Sequence, residues 1–124
     1  MEKRRRITEI YREGLAEVPG LRTMSDLPGI EHNYAYFPLL VDEKEFGLTR
    51  DELFNYLGVR NVFTRKYFYP LTVDYECFKG QYDYLPLPHA RYVAKRIMTL
   101  PLYGALPSEV AERIVSFIRE AAGK

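Results

Sequence analysis

The stretch HNYAYFPLLVDEKEFGLTRDELFNYL, residues 32–57, decides the fold class, because it changes period within one short segment. Its first ten residues are rich in aromatic and β-favouring side chains and end in Leu39-Leu40-Val41, the composition of a strand. Pro38 falls inside that run. Proline donates nothing to a ladder, so the strand is expected at a sheet edge or broken there. Thr49-Arg50-Asp51-Glu52 then has the capping-box pattern, in which a Thr hydroxyl and a Glu carboxylate each bond a free amide of the first helical turn. Leu53, Phe54 and Leu57 give the helix an apolar stripe, and Gly58 suits its C-terminus.

Outward from this segment, residues 2–17 read as a helix, with Ile7, Ile10, Tyr11, Gly14 and Leu15 on one face and Pro19-Gly20 as its stop. Residues 21–26 read as a short strand or extended loop. Residues 59–71 read as extended, with one or two short strands at Val62-Phe63 and Tyr67-Phe68-Tyr69. Residues 75–87 are loop-like. Residues 88–100 read as a helix opened by Pro88, with a stripe at Val93, Ile97 and Leu100. A last helix runs from residue 107 or 108 to 121, with Val110, Ile114, Phe117, Ile118 and Ala121 on one face. The order predicts an α+β domain: a small, mostly antiparallel sheet packed against helices.

Bulk composition narrows the function. The chain has 124 residues, enough for one compact domain, and 11 Tyr with 7 Phe exclude a solvated disordered chain. A net charge of +1 provides no field for nucleic acid or an anionic membrane, so neither is expected as a partner. The run Lys3-Arg4-Arg5-Arg6 is diluted by Glu2, Glu9 and Glu13 and reads as a solvated helix face. No apolar stretch follows the charged N-terminus, so no signal peptide is read. Cys77 is the one cysteine and has no activating base beside it; a reducing, cytoplasmic setting and an idle or buried thiol are expected. His32 and His89 have no metal-ligand spacing, so no metal is expected.

Five segments in register carry a resemblance: KRRRITEIYREGLAEV at 3–18, HNYAYFP at 32–38, TRDELFNYL at 49–57, NVFTRKYFYPL at 61–71 and LPLYG at 100–104. Together they resemble the C-terminal part of the DegT/DnrJ/StrS sugar-nucleotide aminotransferases, enzymes of fold type I that depend on pyridoxal phosphate. The resemblance implies a linker helix at 1–20 and a C-terminal small domain at 21–124. It implies that the large domain, which holds the cofactor on a lysine, precedes them and is a missing partner. It also implies an amino donor such as glutamate and a keto sugar nucleotide as acceptor. The wording RKYFYPLT at 65–72 is most similar to members acting on dTDP-4-keto-6-deoxyhexoses.

The departure is as informative. Lys3, Lys44, Lys66, Lys79, Lys95 and Lys124 lie in nothing like the family's Schiff-base segment, and there is no glycine-rich phosphate cradle. No catalytic, cofactor-binding or metal-binding residue is therefore assigned, and this chain alone is expected to be inactive. Arg65, Lys66 and Tyr67, with Asn33 and Tyr34, are the substrate-binding candidates that the resemblance implies, on the rim of the parent enzyme's cleft, and Tyr36 is read as within reach of the same cleft. Arginine suits planar, bidentate contact with phosphate, and tyrosine supplies a hydroxyl on a stiff ring. The alternative for each is a strand residue packed in the core or left in water. Parent enzymes of this kind are dimers, so the separated domain is expected to self-associate through exposed apolar surface. The competing functional readings are a stand-alone sugar-nucleotide-binding module and a subunit that completes a separately encoded cofactor domain.

Overall fold

The computed structural model describes residues 1–67 and 69–123. It contains α1 (Glu2–Leu15), β1 (Leu21–Thr23), β2 (Phe37–Val41), α2 (Glu43–Phe46), α3 (Arg50–Gly58), α4 (Pro88–Arg96), β3 (Ile97–Leu100) and α5 (Ser108–Ala121), with single 3-10 turns at Thr72–Asp74 and Glu76–Phe78. The three strands form one antiparallel sheet in the order β1-β2-β3. The α+β class and the small antiparallel sheet are as the sequence predicts.

Strand alternation builds the core. Phe37, Leu39 and Val41 of β2 share a face with Met98 and Leu100 of β3, and all five are buried. α1, α3 and α5 cover that face with Ile7, Tyr11, Leu15, Leu53, Leu57 and Ile118. Gly14 lets α1 approach α5, since a Cβ there would lie 2.5 Å from Val115 Cγ1. Gly20 turns the chain into β1 at φ +82°, and a Cβ there would meet the Phe46 amide nitrogen at 2.4 Å. Tyr11 ties α1 to the segment after β3: its hydroxyl donates to the Pro101 carbonyl at 2.7 Å, and its ring centroid lies 5.0 Å from that of Phe37. Burial, with the nearby Tyr103 phenol, raises the Tyr11 hydroxyl above its usual range.

The structure corrects several boundaries. The helix read at 88–100 is two elements, because α4 stops at Arg96 and residues 97–100 pair with β2. Val93 is exposed, so the stripe Val93, Ile97, Leu100 does not face one core; Met98 and Leu100 gain burial by pairing with Leu39 and Phe37 instead. The strand read at 32–41 begins only at Phe37, and the Pro38-bearing strand is central rather than at the edge. Thr99, opposite Pro38, exchanges both backbone bonds with Arg65. Pro38 thus stands in a non-hydrogen-bonded pair, and its missing donor points to the β1 side, beyond the last β1 pair at Thr23 and Leu39. Residues 59–71 contribute one isolated bridge, Arg65 to Thr99, and no named strand among the described residues; Phe68 lies outside them. Gly58 ends α3 within the helix, and Asn61 takes the left-handed conformation at φ 62°. Cys77 is exposed rather than buried. Among the described residues no helix is long and apolar enough to cross a membrane.

Candidate functional site

The site is organised by the bridge between Arg65 and Thr99, whose amides donate to each other's carbonyls at 3.3 and 2.8 Å. The bridge sets residues 64–67 in alternation. Arg65 and Tyr67 point to one side. Thr64 is buried, with its hydroxyl oxygen unpartnered, and Lys66 turns towards α3.

Arg65 and Tyr67 meet Tyr36, from the segment before β2, in two adjoining grooves. One, of about 310 Å³, is lined by Arg65, Phe63, Tyr103, Ala35 and the pair Tyr36 and Tyr67. The other, of about 380 Å³, is almost wholly apolar and runs between the outer face of the sheet (Pro38, Ile97, Thr99) and α4 (Ala90, Val93), with Tyr36 and Tyr67 at the junction. The Tyr36 and Tyr67 rings lie 5.2 Å apart, centroid to centroid. A hydrogen bond with Tyr67 raises the Tyr36 phenol above its usual range, while the positive charge of Arg65 opposes the shift. The junction thus presents a cation and two hydroxyls beside an apolar trough.

The other candidates are placed elsewhere. Lys66 bonds Asp51 at 3.0 Å and lies over the Phe54 ring at 4.8 Å. Burial pushes the Asp51 carboxyl up, but bonds from Lys66 and Arg50 outweigh it and hold the group below its usual value. Asn33 is exposed, and its Oδ1 accepts from the Ala35 amide at 3.0 Å. Tyr34 is buried in a left-handed turn, φ 51°, with its amide donating to His32 Nδ1 at 2.8 Å and its hydroxyl to Asp26 Oδ2 at 2.7 Å. Arg12 of α1 holds the other oxygen of Asp26 at 2.8 Å. These side-chain bonds to backbone explain why residues 32–36 leave the sheet. The structure therefore brings Arg65 and Tyr67 together, sets Asn33 beside Ala35 and Tyr36 on a neighbouring surface, and uses Tyr34 and Lys66 as ties to α1 and α3.

Tyr36, a further cleft candidate in the sequence beside Asn33 and Tyr34, lines both grooves together with Tyr67 and Thr99. Sequence reasoning missed one feature. Arg50 is buried at the start of α3, donating to the carbonyls of Ala94 and Ile97 at 3.0 and 2.7 Å. Alternation along 64–67 could have separated Lys66 from its neighbours; no local signal marks the burial of Arg50, because the carbonyls it bonds lie more than forty residues away.

A pyridoxal phosphate cofactor does not fit the residues of this chain. Lys3, Lys44, Lys79 and Lys95 are exposed, Lys66 is held by Asp51, and no lysine lines the Tyr36–Tyr67 grooves; Lys124 lies outside the described residues. No group of three or more His, Cys, Asp or Glu side chains that could hold a metal ion occurs among the described residues.

The chain is 39% identical over 110 residues to a dTDP-4-amino-4,6-dideoxy-D-glucose transaminase of Shigella dysenteriae, which covers 89% of this chain and 30% of that protein. It is 33% identical over 122 residues to the transaminase of the same name from Escherichia coli, covering 95% and 32%. The crystal structure of DesI in the presence of its TDP-sugar product superposes with a TM-score of 0.91 at 31% identity, over 99% of this chain and 31% of that one. The chain thus spans about a third of the length of the relatives it matches. The sequence profile of the DegT/DnrJ/EryC1/StrS aminotransferase family matches residues 1–119, and the chain belongs to that family.

Proposed function

We propose that this chain is the small-domain part of an aminotransferase that moves an amino group from an amino acid such as glutamate to a keto sugar nucleotide, a dTDP-4-keto-6-deoxyhexose, and that it is silent without a lysine-bearing body. The observation that carries this reading is the 39% identity to a dTDP-sugar transaminase over nearly the whole chain. In the family, pyridoxal phosphate supplies the electron sink for nitrogen transfer. The residues here offer it no Schiff-base lysine, so its place belongs to that other body, in the same polypeptide or a separate one.

What this chain would add is a rim for the acceptor. Arg65 offers two parallel N–H donors to a phosphate. Tyr67 and Tyr36 offer hydroxyls to the sugar, and Asn33 lies on the adjacent surface. Lys66 and Tyr34 serve this rim at one remove, by fixing residues 64–67 against α3 and the turn before β2 against α1. The apolar trough beside them is surface for the lysine-bearing body or for a second copy of the chain. A cytoplasmic setting follows from soluble sugar-nucleotide substrates.

The test is a fusion of residues 1–124 to the lysine-bearing portion of the Shigella dysenteriae relative. The fusion should aminate a dTDP-4-keto-6-deoxyhexose. Arg65→Ala should raise KM about tenfold with little change in kcat, the pattern of a lost ground-state phosphate contact. An active fusion whose KM ignores Arg65→Ala and Tyr67→Phe would remove the rim assignment. Saturable binding of a dTDP-sugar by the chain alone would favour the stand-alone binding module.

A further inference from the structure

Arg50 keeps only 2% of its side chain exposed. Its Nε donates to Asp51 Oδ1 at 2.7 Å, and its Nη1 donates to the Ala94 and Ile97 carbonyls. Its Nη2 has no partner among the described residues, yet it is not sealed: Thr64 Oγ1 is the one sealed, unpartnered side-chain atom among them. The little surface that Arg50 retains therefore includes Nη2. Arg50 lines a cavity of about 330 Å³ together with Thr49, Tyr69, Lys95 and Arg96, and with Glu43 and Asp51. Tyr69 roofs the guanidinium, its ring centroid 5.0 Å from Arg50 Cζ.

The carboxylates at this cavity are already neutralised. Glu43 accepts from Arg96 at 2.9 and 3.2 Å. Asp51 accepts from Arg50 and Lys66. Lys95 is exposed and has no ion pair among the described residues. Two cationic donors are thus left uncommitted, Arg50 Nη2 and Lys95 Nζ, beside a cavity whose remaining charges cancel. The arginine is immobilised by its other bonds, so an incoming acceptor loses little to side-chain ordering, and a partly dehydrated site strengthens the contact.

We propose that this cavity binds the oxyanion group of a small molecule, a phosphate or a carboxylate, between Arg50 and Lys95. It shares no lining residue with the grooves at Tyr36 and Tyr67, so the proposal stands whether or not those grooves hold a sugar nucleotide. Arg50→Ala would also strip the Ala94 and Ile97 carbonyls of their donor and unfold the junction of α4 and β3, so Lys95 is the residue to change. The isotopically labelled chain is titrated with sodium phosphate, sodium glutarate and, at matched ionic strength, sodium chloride, following the Arg50 side-chain and Tyr69 signals by NMR. Saturable shifts with phosphate or with glutarate, absent with chloride, are expected, and the salt that saturates first identifies the ligand chemistry. Lys95→Ala should weaken that binding about tenfold, whereas Lys79→Ala should leave it unchanged. Shifts that rise without saturation in all three salts, or saturation indifferent to Lys95→Ala, would overturn the proposal.

Discussion

Arg12 and Tyr34 donate to the two oxygens of Asp26 from α1 and from the turn before β2, and these bonds hold its pKa at about 2, against a usual 3.8. A carboxylate depressed by folding contributes stability that is complete above its unfolded pKa and is lost as pH falls through the folded one. The contribution of Asp26 should therefore disappear between about pH 4 and about pH 2. Urea unfolding across that window should show the native chain losing stability more steeply than Asp26→Asn; parallel slopes would contradict the assignment. Little of this was legible in the sequence. Asp26 and Tyr34 stand in a loop and a strand-like run, and their meeting depends on where Arg12 emerges from α1. Arg65 and Tyr67, by contrast, share a side because extended chain alternates, a rule that can be read in advance.

At the scale of elements, α3 carries the clearest local signal. Glu52 accepts from the Thr49 amide at 2.8 Å, and Thr49 Oγ1 accepts from the Glu52 amide at 3.1 Å. Thr49→Ala should cost about 1 kcal/mol of stability, measured by denaturant unfolding, with Thr49→Ser near neutral; a loss no larger than that of an exposed control substitution would show that packing alone holds α3. The span of α5 was equally legible, because Pro107 sets its start, but its buried face was read only in part: Ile114, Ile118 and Ala121 are buried as expected, whereas Val110 is exposed and Ala111 and Val115 are buried in its place. β3 was not. Residues 93, 97 and 100 step as a helix does, and the choice between helix and strand there is made by Leu39 and Phe37 of β2, some sixty residues earlier. Periodicity within a window cannot register a partner of that kind.

One face of the sheet is sealed and the other is covered only in part, by α4. α1, α3 and α5 seal one side of the sheet, while the trough beside Tyr36 and Tyr67 and the exposed Phe63, Tyr69 and Tyr103 leave apolar surface facing water. The isolated chain should elute as larger species as its concentration rises, and an invariant monomeric elution volume would count against an unpartnered interface. The central claim is that this chain shapes the acceptor rim while the cofactor is carried on another body. The most direct measurement is borohydride reduction of the active fusion in the presence of pyridoxal phosphate, followed by peptide mass spectrometry. The expected result is a pyridoxyl label on a lysine of the fused body and none on Lys3, Lys44, Lys66, Lys79, Lys95 or Lys124. A stoichiometric label on one of those six, in a chain that aminates the sugar nucleotide alone, would contradict it.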